Sequence, residues 1–451
     1  MDKNIDLTKG PIFKTLVRLS IPLALTAFIQ IAYGFVDTIW IARIGTDAVA
    51  GVGIAGFVFW IANSLGLIPK VGTGVFASQA YGEGNEDETV RVINNGMIQA
   101  VLIGLVFSVF VLLIRNKFIE LYNLGGPADE AAKEYLFIIG LGLILFFINP
   151  MFSQVYTALG DSLTPFKINA LGLVANMLLD PLMIFGYGFL PYLGVRGAAL
   201  ATVLSQIIVS IAFIISIIRD KGLIKKALTR IDFMENWQVE IFKLGLPAGL
   251  LSGFHASISM ILNRFMADFG PTPVAVASIG SQIESISWNT TEGIQVGIQA
   301  LVGQNYGAKN LARVRDSVKV SFSLVAGIGL VGSLVLFIFR YRLFALFTPG
   351  DLEAIRLGAD YLFILSFSQF FMAVEIGLAG CFNGLSDTMT PALIGISMNL
   401  LRIPMALILM SFMGVHGVWA SMSISSIFKG ILAMSLIVKK LRKLKHRNIS
   451  N

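Results

Sequence analysis

The chain has 451 residues, 55% hydrophobic and only 14% charged, with a formal net charge of +7 and a mean hydropathy of +0.78. That is too apolar and too charge-poor for an ordinary soluble domain and points to a polytopic membrane protein. The lone Cys381 excludes an internal disulfide or a thiolate metal cluster, and long continuous apolar runs without period-two alternation exclude a membrane β-barrel.

In chain order, Met1 to Gly10 is polar and lacks the short apolar core and small-residue cleavage site of a removable signal. The first helix is therefore expected to direct insertion. About twelve segments long enough to cross a bilayer follow. They begin near Lys14, Ala48, Val92, Lys133, Pro165, Leu193, Glu240, Pro273, Ser317, Arg356, Thr390 and Gly414. Lys3, Lys9, Lys14 and Arg18, the loop from Arg219 to Lys243, the group Lys309, Arg313, Arg315 and Lys319, and the tail from Lys439 to Arg447 all fall on one side. This asymmetry predicts both termini cytoplasmic in the plasma (inner) membrane. Because the bases flank helices, the net charge calls for no nucleic-acid partner, and the tail suits anionic headgroups of the lipid bilayer.

The chain is written twice. Arg18-Leu-Ser-Ile-Pro22 returns as Lys243-Leu-Gly-Leu-Pro247, and Gln79-Ala-Tyr-Gly-Glu-Gly-Asn85 returns as Gln304-Asn-Tyr-Gly-Ala-Lys-Asn310 at the same offset. Asp161-Ser-Leu-Thr-Pro165 is echoed by Asp387-Thr-Met-Thr-Pro391, and Gly194-Val-Arg-Gly197 by Gly414-Val-His-Gly417. A repeat of even helix number enters the membrane from the same side in both copies. The expected fold is thus all-α integral membrane, twelve transmembrane helices in two six-helix bundles related by a pseudo-twofold axis along the membrane normal. The expected division is an N-lobe at 1–218, a cytoplasmic linker at 219–239 with a short amphipathic helix around Phe233 to Val239, a C-lobe at 240–438, and a basic cytoplasmic tail at 439–451.

Two carboxylates interrupt the apolar runs of the first copy: Asp37 in the first segment and Asp180 in the fifth. An ionised group there costs at least about 2.5–3.5 kcal/mol, so it is rarely idle. Through the internal repeat, Asp37 corresponds to Leu262 and Asp180 to Ile403, which confines any such site to the first copy. Asn176 and Asp180 share a helix face, as do Gln30, Tyr33 and Asp37, and Thr202 enters at comparable depth from the sixth segment. Carboxylate, amide and hydroxyl oxygens suit a hard cation, Na+ held by Asp37, Asn176, Asp180 and Thr202, or a proton in its place. The competing structural reading has the two aspartates bonding backbone freed by Pro22 and Pro181. Pro22 also marks a hinge at which the first helix bends.

These motifs, taken in order over essentially the whole chain, resemble those of the multidrug and toxic compound extrusion (MATE) transporters, of a prokaryotic type with an N-lobe cation site. The resemblance implies that Asp37, Asp180, Asn176 and Thr202 are coupling residues and adds Tyr135 of the fourth helix. Some members carry a functional glutamate in helix seven and an aspartate in helix ten; here those positions hold His255 and Met372. A C-lobe role then rests on Glu292, Glu375 or His255, each of which has a structural reading as an ion pair or an interior histidine. Gln30, Tyr33, Asn149 and Ser153 are candidates to line the substrate cavity.

The expected function is secondary active efflux of small amphiphilic or cationic substrates by Na+ or H+ antiport, with access alternating between two bundles, by a monomer that needs no cofactor. No phosphate-cradling Gly-x-x-x-x-Gly-Lys-Ser/Thr loop is present. The three histidines, His255, His416 and His446, form no hydrolase motif, so no enzyme activity is expected. The alternative is a lipid-linked oligosaccharide or peptidoglycan-precursor flippase, which would line its cavity with bases.

Overall fold

Helices dominate because the chain offers long apolar stretches in which every backbone N–H and C=O must be satisfied locally. The computed structural model describes residues 5–122, 125–186, 191–219, 222–229 and 232–447. Lys3, Lys221 and Arg230 of the basic segments, and the end of the tail from 448, lie outside the described residues. In order come α1 (Ile12–Ala42), α2 (Thr46–Glu83), α3 (Glu86–Glu120), α4 (Gly126–Gly142), α5 (Leu145–Ala158), α6 (Leu163–Phe185) and α7 (Val195–Arg219). They are followed by α8 (Leu223–Thr229), α9 (Glu235–Ala267), α10 (Pro271–Gly307), α11 (Leu311–Phe347), α12 (Leu352–Gly384), α13 (Met389–Met413) and α14 (Val415–Arg447).

Ten of these helices are long and apolar enough to span a membrane, and α4 with α5, bent by 43°, make an eleventh span. The expected fourth segment is this broken pair. Helix α10 has 37 residues, about 55 Å at ~1.5 Å rise per residue. Its Ser281, Glu284, Ser285, Asn289, Thr290 and Glu292 lower its hydropathy without shortening it. With α10 counted by length, the twelve expected segments are all present as helices.

The linker helix lies elsewhere than expected. It is α8, Leu223–Thr229, while the stretch from Glu235 to Val239 opens α9. Ile224 and Ala227, three apart, are buried, leaving Lys225 and Lys226 outward. The stretch around Phe233 is held by side-chain caps instead: the Asp232 and Met234 amides donate to Asn94 Oδ1 and Asn95 Oδ1 at 3.1 and 2.8 Å.

By contacts the chain forms two compact units, one of residues 1–5 and 25–249, the other of residues 6–24 and 250–451. Helix α1 changes unit just after Pro22, and α9 just after Pro247. Within unit 1, α2 packs on α3, α4 and α5, and α7 on α6 and α4. Within unit 2, α12 is central, packing on α10, α11 and α14, with α13 on α14.

The repeated motifs are turns. Asn85 and Asn310 cap α3 and α11, their Oδ1 atoms each accepting an amide at 3.1 Å. Asp161 and Asp387 accept from the amides of Thr164 and Thr390 at 2.9 and 3.1 Å. Left-handed backbone is needed just before each of these caps. Gly84 (φ 79°) and Gly160 (φ 91°) supply it in the first copy, Lys309 and Ser386 (both φ 57°) in the second. Those two are the non-glycine residues with positive φ among the described residues. A side chain there costs about 1–2 kcal/mol, so the turn geometry, not the residue, is what the duplication preserved.

Candidate cation site

In unit 1 the C-terminal halves of α1 and α6, the N-terminal half of α7 and α4 bring five side chains together. Asp37 of α1 neighbours Asp180, Asn176 and Thr202. Asn176 and Asp180 are fully buried, one turn apart on α6, and Asn176 Nδ2 donates to Asp180 Oδ1 at 3.2 Å. Thr202 is buried and donates its hydroxyl proton to the Ala198 carbonyl at 2.9 Å, which leaves its oxygen lone pairs for another partner. Tyr135, buried on α4, lies beside Thr202 and near both aspartates.

The hydrogen-bond accounting at this point does not close. Asp37 Oδ1, Asn176 Oδ1 and Asp180 Oδ2 are buried acceptors without a hydrogen-bond partner. Each such group costs about 1–3 kcal/mol unless something donates to it or coordinates it. Three acceptor oxygens with two carboxylates among them fit a hard cation or shared protons. No neighbouring base supplies the charge: among the described residues, the buried Lys and Arg are Arg402 and Lys429, both in unit 2.

The other candidates of unit 1 are placed differently. Tyr33 reaches α7, its hydroxyl donating to Ser205 Oγ at 3.3 Å, and Ser205 donates in turn to the Thr202 carbonyl at 2.8 Å. Gly172 makes room for this: a Cβ there would sit 3.0 Å from the Tyr33 oxygen. Asn149 is buried and bonded to Gln206 and Ser210, and Ser153 bonds Asn149 and Asn169. Gln30 is exposed.

Unit 2 gathers a polar cluster of another kind. Glu284 of α10 accepts from Tyr361 at 3.1 Å and from Gln369 at 2.5 Å. Buried Arg402 of α13 donates to Ser425 at 2.6 Å and Ser426 at 3.1 Å. Glu375 pairs with buried Lys429 at 3.1 Å. His255 meets Asn399 at 3.5 Å and packs on Trp288. Glu292 is exposed. Sequence reasoning passed over Lys429 and Tyr361. Lys429 is a charge in an apolar run, the same signal that exposed Asp37, and Tyr361 is the repeat counterpart of Tyr135.

The counterparts of the aspartates are core. Leu262 is buried in the apolar cluster of unit 2, and Ile403 packs against it.

The MatE family model matches residues 22–182 and 247–408, most of the chain. This chain belongs to the MatE family. The two matched blocks open on Pro22 and Pro247, the prolines of the internal repeat. Among curated relatives, the probable multidrug resistance protein NorM of Thermotoga maritima is 28% identical over 427 residues, covering 93% of this chain and 91% of NorM. The multidrug export protein MepA of Staphylococcus aureus (strain MW2) is 24% identical over 442 residues, with 96% and 95% covered. A crystal structure of a MATE in the bent conformation superposes with a TM-score of 0.91 at 22% identity, covering 99% of both chains. The curated relatives are multidrug resistance and export proteins, not enzymes. This MatE chain is accordingly a helical membrane transporter.

Proposed function

We propose that this MatE chain exports small amphiphilic or cationic compounds by exchange for Na+ or H+, with Asp37 and Asp180 as the coupling pair. The observation that carries this reading is the convergence of three partnerless buried oxygens, from Asp37, Asn176 and Asp180, in a unit that buries no Lys or Arg among its described residues. A cation entering there supplies the missing partner, with Thr202 as a further oxygen and Tyr135 as the wall beside it. Protons do the same by letting one carboxyl donate to the other. Either occupant offsets the pair's negative charge, and coupling follows if the occupied and empty pairs favour different conformations.

Pro22 lies where α1 passes from unit 2 to unit 1 and cannot donate a backbone hydrogen bond. That placement supports a hinge there, and the bent conformation described for a MATE neighbour fits it. In this reading neutralising the Asp37–Asp180 pair changes the bend of α1, and substrate access alternates between the two sides of the membrane. The protein works as a monomer in the plasma membrane with both termini cytoplasmic. A flippase of lipid-linked precursors would need free buried bases, whereas Arg402 and Lys429 are both bonded within unit 2.

Efflux by purified protein in liposomes, driven separately by an imposed Na+ gradient and an imposed pH gradient, tests the proposal. One gradient alone is expected to drive transport, and Asp37→Asn is expected to abolish it. Undiminished gradient-driven efflux by Asp37→Asn would sink the mechanism.

A further inference from the structure

A cavity of about 190 Å³ opens in unit 1 far from the aspartate pair, lined by Tyr81, Glu86, Tyr156, Asp161, Leu223 and Ile224 among others. Two of its residues come from motifs that the transport mechanism leaves unused, Tyr81 from the Gln-x-Tyr-Gly stretch that ends α2 and Asp161 from the Asp-Ser-Leu-Thr-Pro turn before α6. Asp161 is its inner carboxylate, 2% exposed, with one oxygen accepting from the Thr164 amide at 2.9 Å and the other from the Thr164 hydroxyl at 2.6 Å. Glu86 stands at the mouth, paired with exposed Lys226 at 3.1 Å. Because Glu86 is paired with Lys226, among the described residues that line the cavity Asp161 is the carboxylate without a basic partner.

The second copy shows what this arrangement takes. Asp387, the counterpart of Asp161, keeps the same cap on Thr390 and also binds the Lys440 ammonium, Nζ to Oδ2 2.5 Å. Lys440 comes from α14, which runs on to Arg447, whereas its counterpart α7 stops at Arg219. The register equivalent to Lys440 thus falls past the end of α7 and outside the described residues, and Leu223 and Ile224 of α8 wall the cavity. In copy two the carboxylate is met by the protein's own alkylammonium; in copy one the same carboxylate faces a cavity with two tyrosines.

We propose that this cavity binds a small alkylammonium, with Asp161 as counter-ion and Tyr81 and Tyr156 as aromatic walls. Rings stabilise an ammonium through their negative faces, and Asp161, screened from water, supplies the charge. The size argues for a fragment no larger than a lysine side chain: drug-sized sites run to roughly 300–1,000 Å³. The site is separate from the Asp37–Asp180 pair, and its occupant needs none of the transport mechanism.

The test is titration of n-butylammonium into the full-length protein in lipid nanodiscs, followed by saturation-transfer NMR, in an Asp37→Asn/Asp180→Asn background so that the coupling pair cannot hold the probe. Saturable binding is expected, weakened about tenfold or more by Asp161→Asn, which keeps a capping oxygen. Leu223→Trp, which fills the cavity without touching a carboxylate, is expected to abolish it. Neutral n-butanol is expected not to compete, and Asp387→Asn to leave affinity unchanged. In Lys440→Ala, butylammonium is expected to bind a second time and restore part of the lost melting temperature. Binding that Asp161→Asn and Leu223→Trp leave intact, or equal binding of butanol, overturns the proposal.

Discussion

The two halves of this protein share a template and bury opposite electrostatics. Around the first copy's Tyr135 stand two carboxylates and, among the described residues, no buried base; around its counterpart Tyr361 stand Glu284 and Arg402, and Arg402 in turn neighbours the Glu375–Lys429 pair. The second cluster carries two acids and two bases, so it is neutral as it stands. The first is neutral only when a cation or protons join it. A duplicated scaffold therefore holds one centre with unmatched acceptor oxygens and one that satisfies itself. In the proposed function, that difference is what lets the first copy couple to an ion gradient.

The largest expected effect comes from removing the charge that makes the copies differ. Asp37→Asn or Asp180→Asn is expected to reduce gradient-driven efflux to background while membrane levels stay normal, measured by substrate export and immunoblot. Glu284→Gln, by contrast, is expected to leave dependence on the driving ion unchanged. If both copies proved equally essential for ion dependence, the asymmetry would lose its meaning.

Next in size is the break of the self-neutralised centre. Lys429→Ala leaves Glu375 buried without its base and is expected to cost about 3–5 kcal/mol, read as a lowered melting temperature. The double change Lys429→Met/Glu375→Gln is expected to recover most of the loss. A smaller loss, about 1.5–3 kcal/mol, is expected for Tyr361→Phe, which removes a hydrogen bond to a carboxylate. Tyr135→Phe is expected to alter the cation dependence of transport more than stability.

The smallest effect concerns Asp387, in the turn between α12 and α13. Burial pushes its carboxyl up, but the Lys440 and Thr390 bonds outweigh that and hold it below its ordinary 3.8. A carboxylate depressed by folding stabilises the protein at and above its unfolded range, and the contribution fades as pH falls through the folded value. Lys440→Ala is thus expected to cost about 1 kcal/mol at neutral pH. The melting curves of variant and parent should converge once pH falls below the depressed folded value, and a gap that persisted there would show that Lys440 acts by packing instead.

The aspartate pair was legible as a buried feature because an aspartate in an apolar run is expensive wherever the helix sits, so Asp37 and Asp180 announced themselves without a partner in view. Asn176 followed from helical spacing and Thr202 from its comparable depth on the next segment. Lys429 was harder to read, since a lysine on a spanning helix can run its stem along lipid and place its charge in the interface. Whether it does so depends on Glu375, which only packing brings near. The linker helix was misplaced for a related reason: Ile224 and Ala227 look unremarkable until unit 1 offers them a surface, and Phe233 stays outside a helix because Asn94 and Asn95 cap the adjoining amides.

Hydropathy, charge bias and the internal repeat determined the number of spanning segments, their pairing into two copies and the presence of buried charge in the first. Those properties depend on residue type and spacing along one helix, which the chain carries in itself. Only the tertiary structure decided that α1 changes unit after Pro22, that three oxygens around Asp37 and Asp180 lack donors, and that Asp161 faces a cavity where Asp387 meets Lys440. Each of these is a relation between helices distant in sequence, set by packing that no single segment specifies.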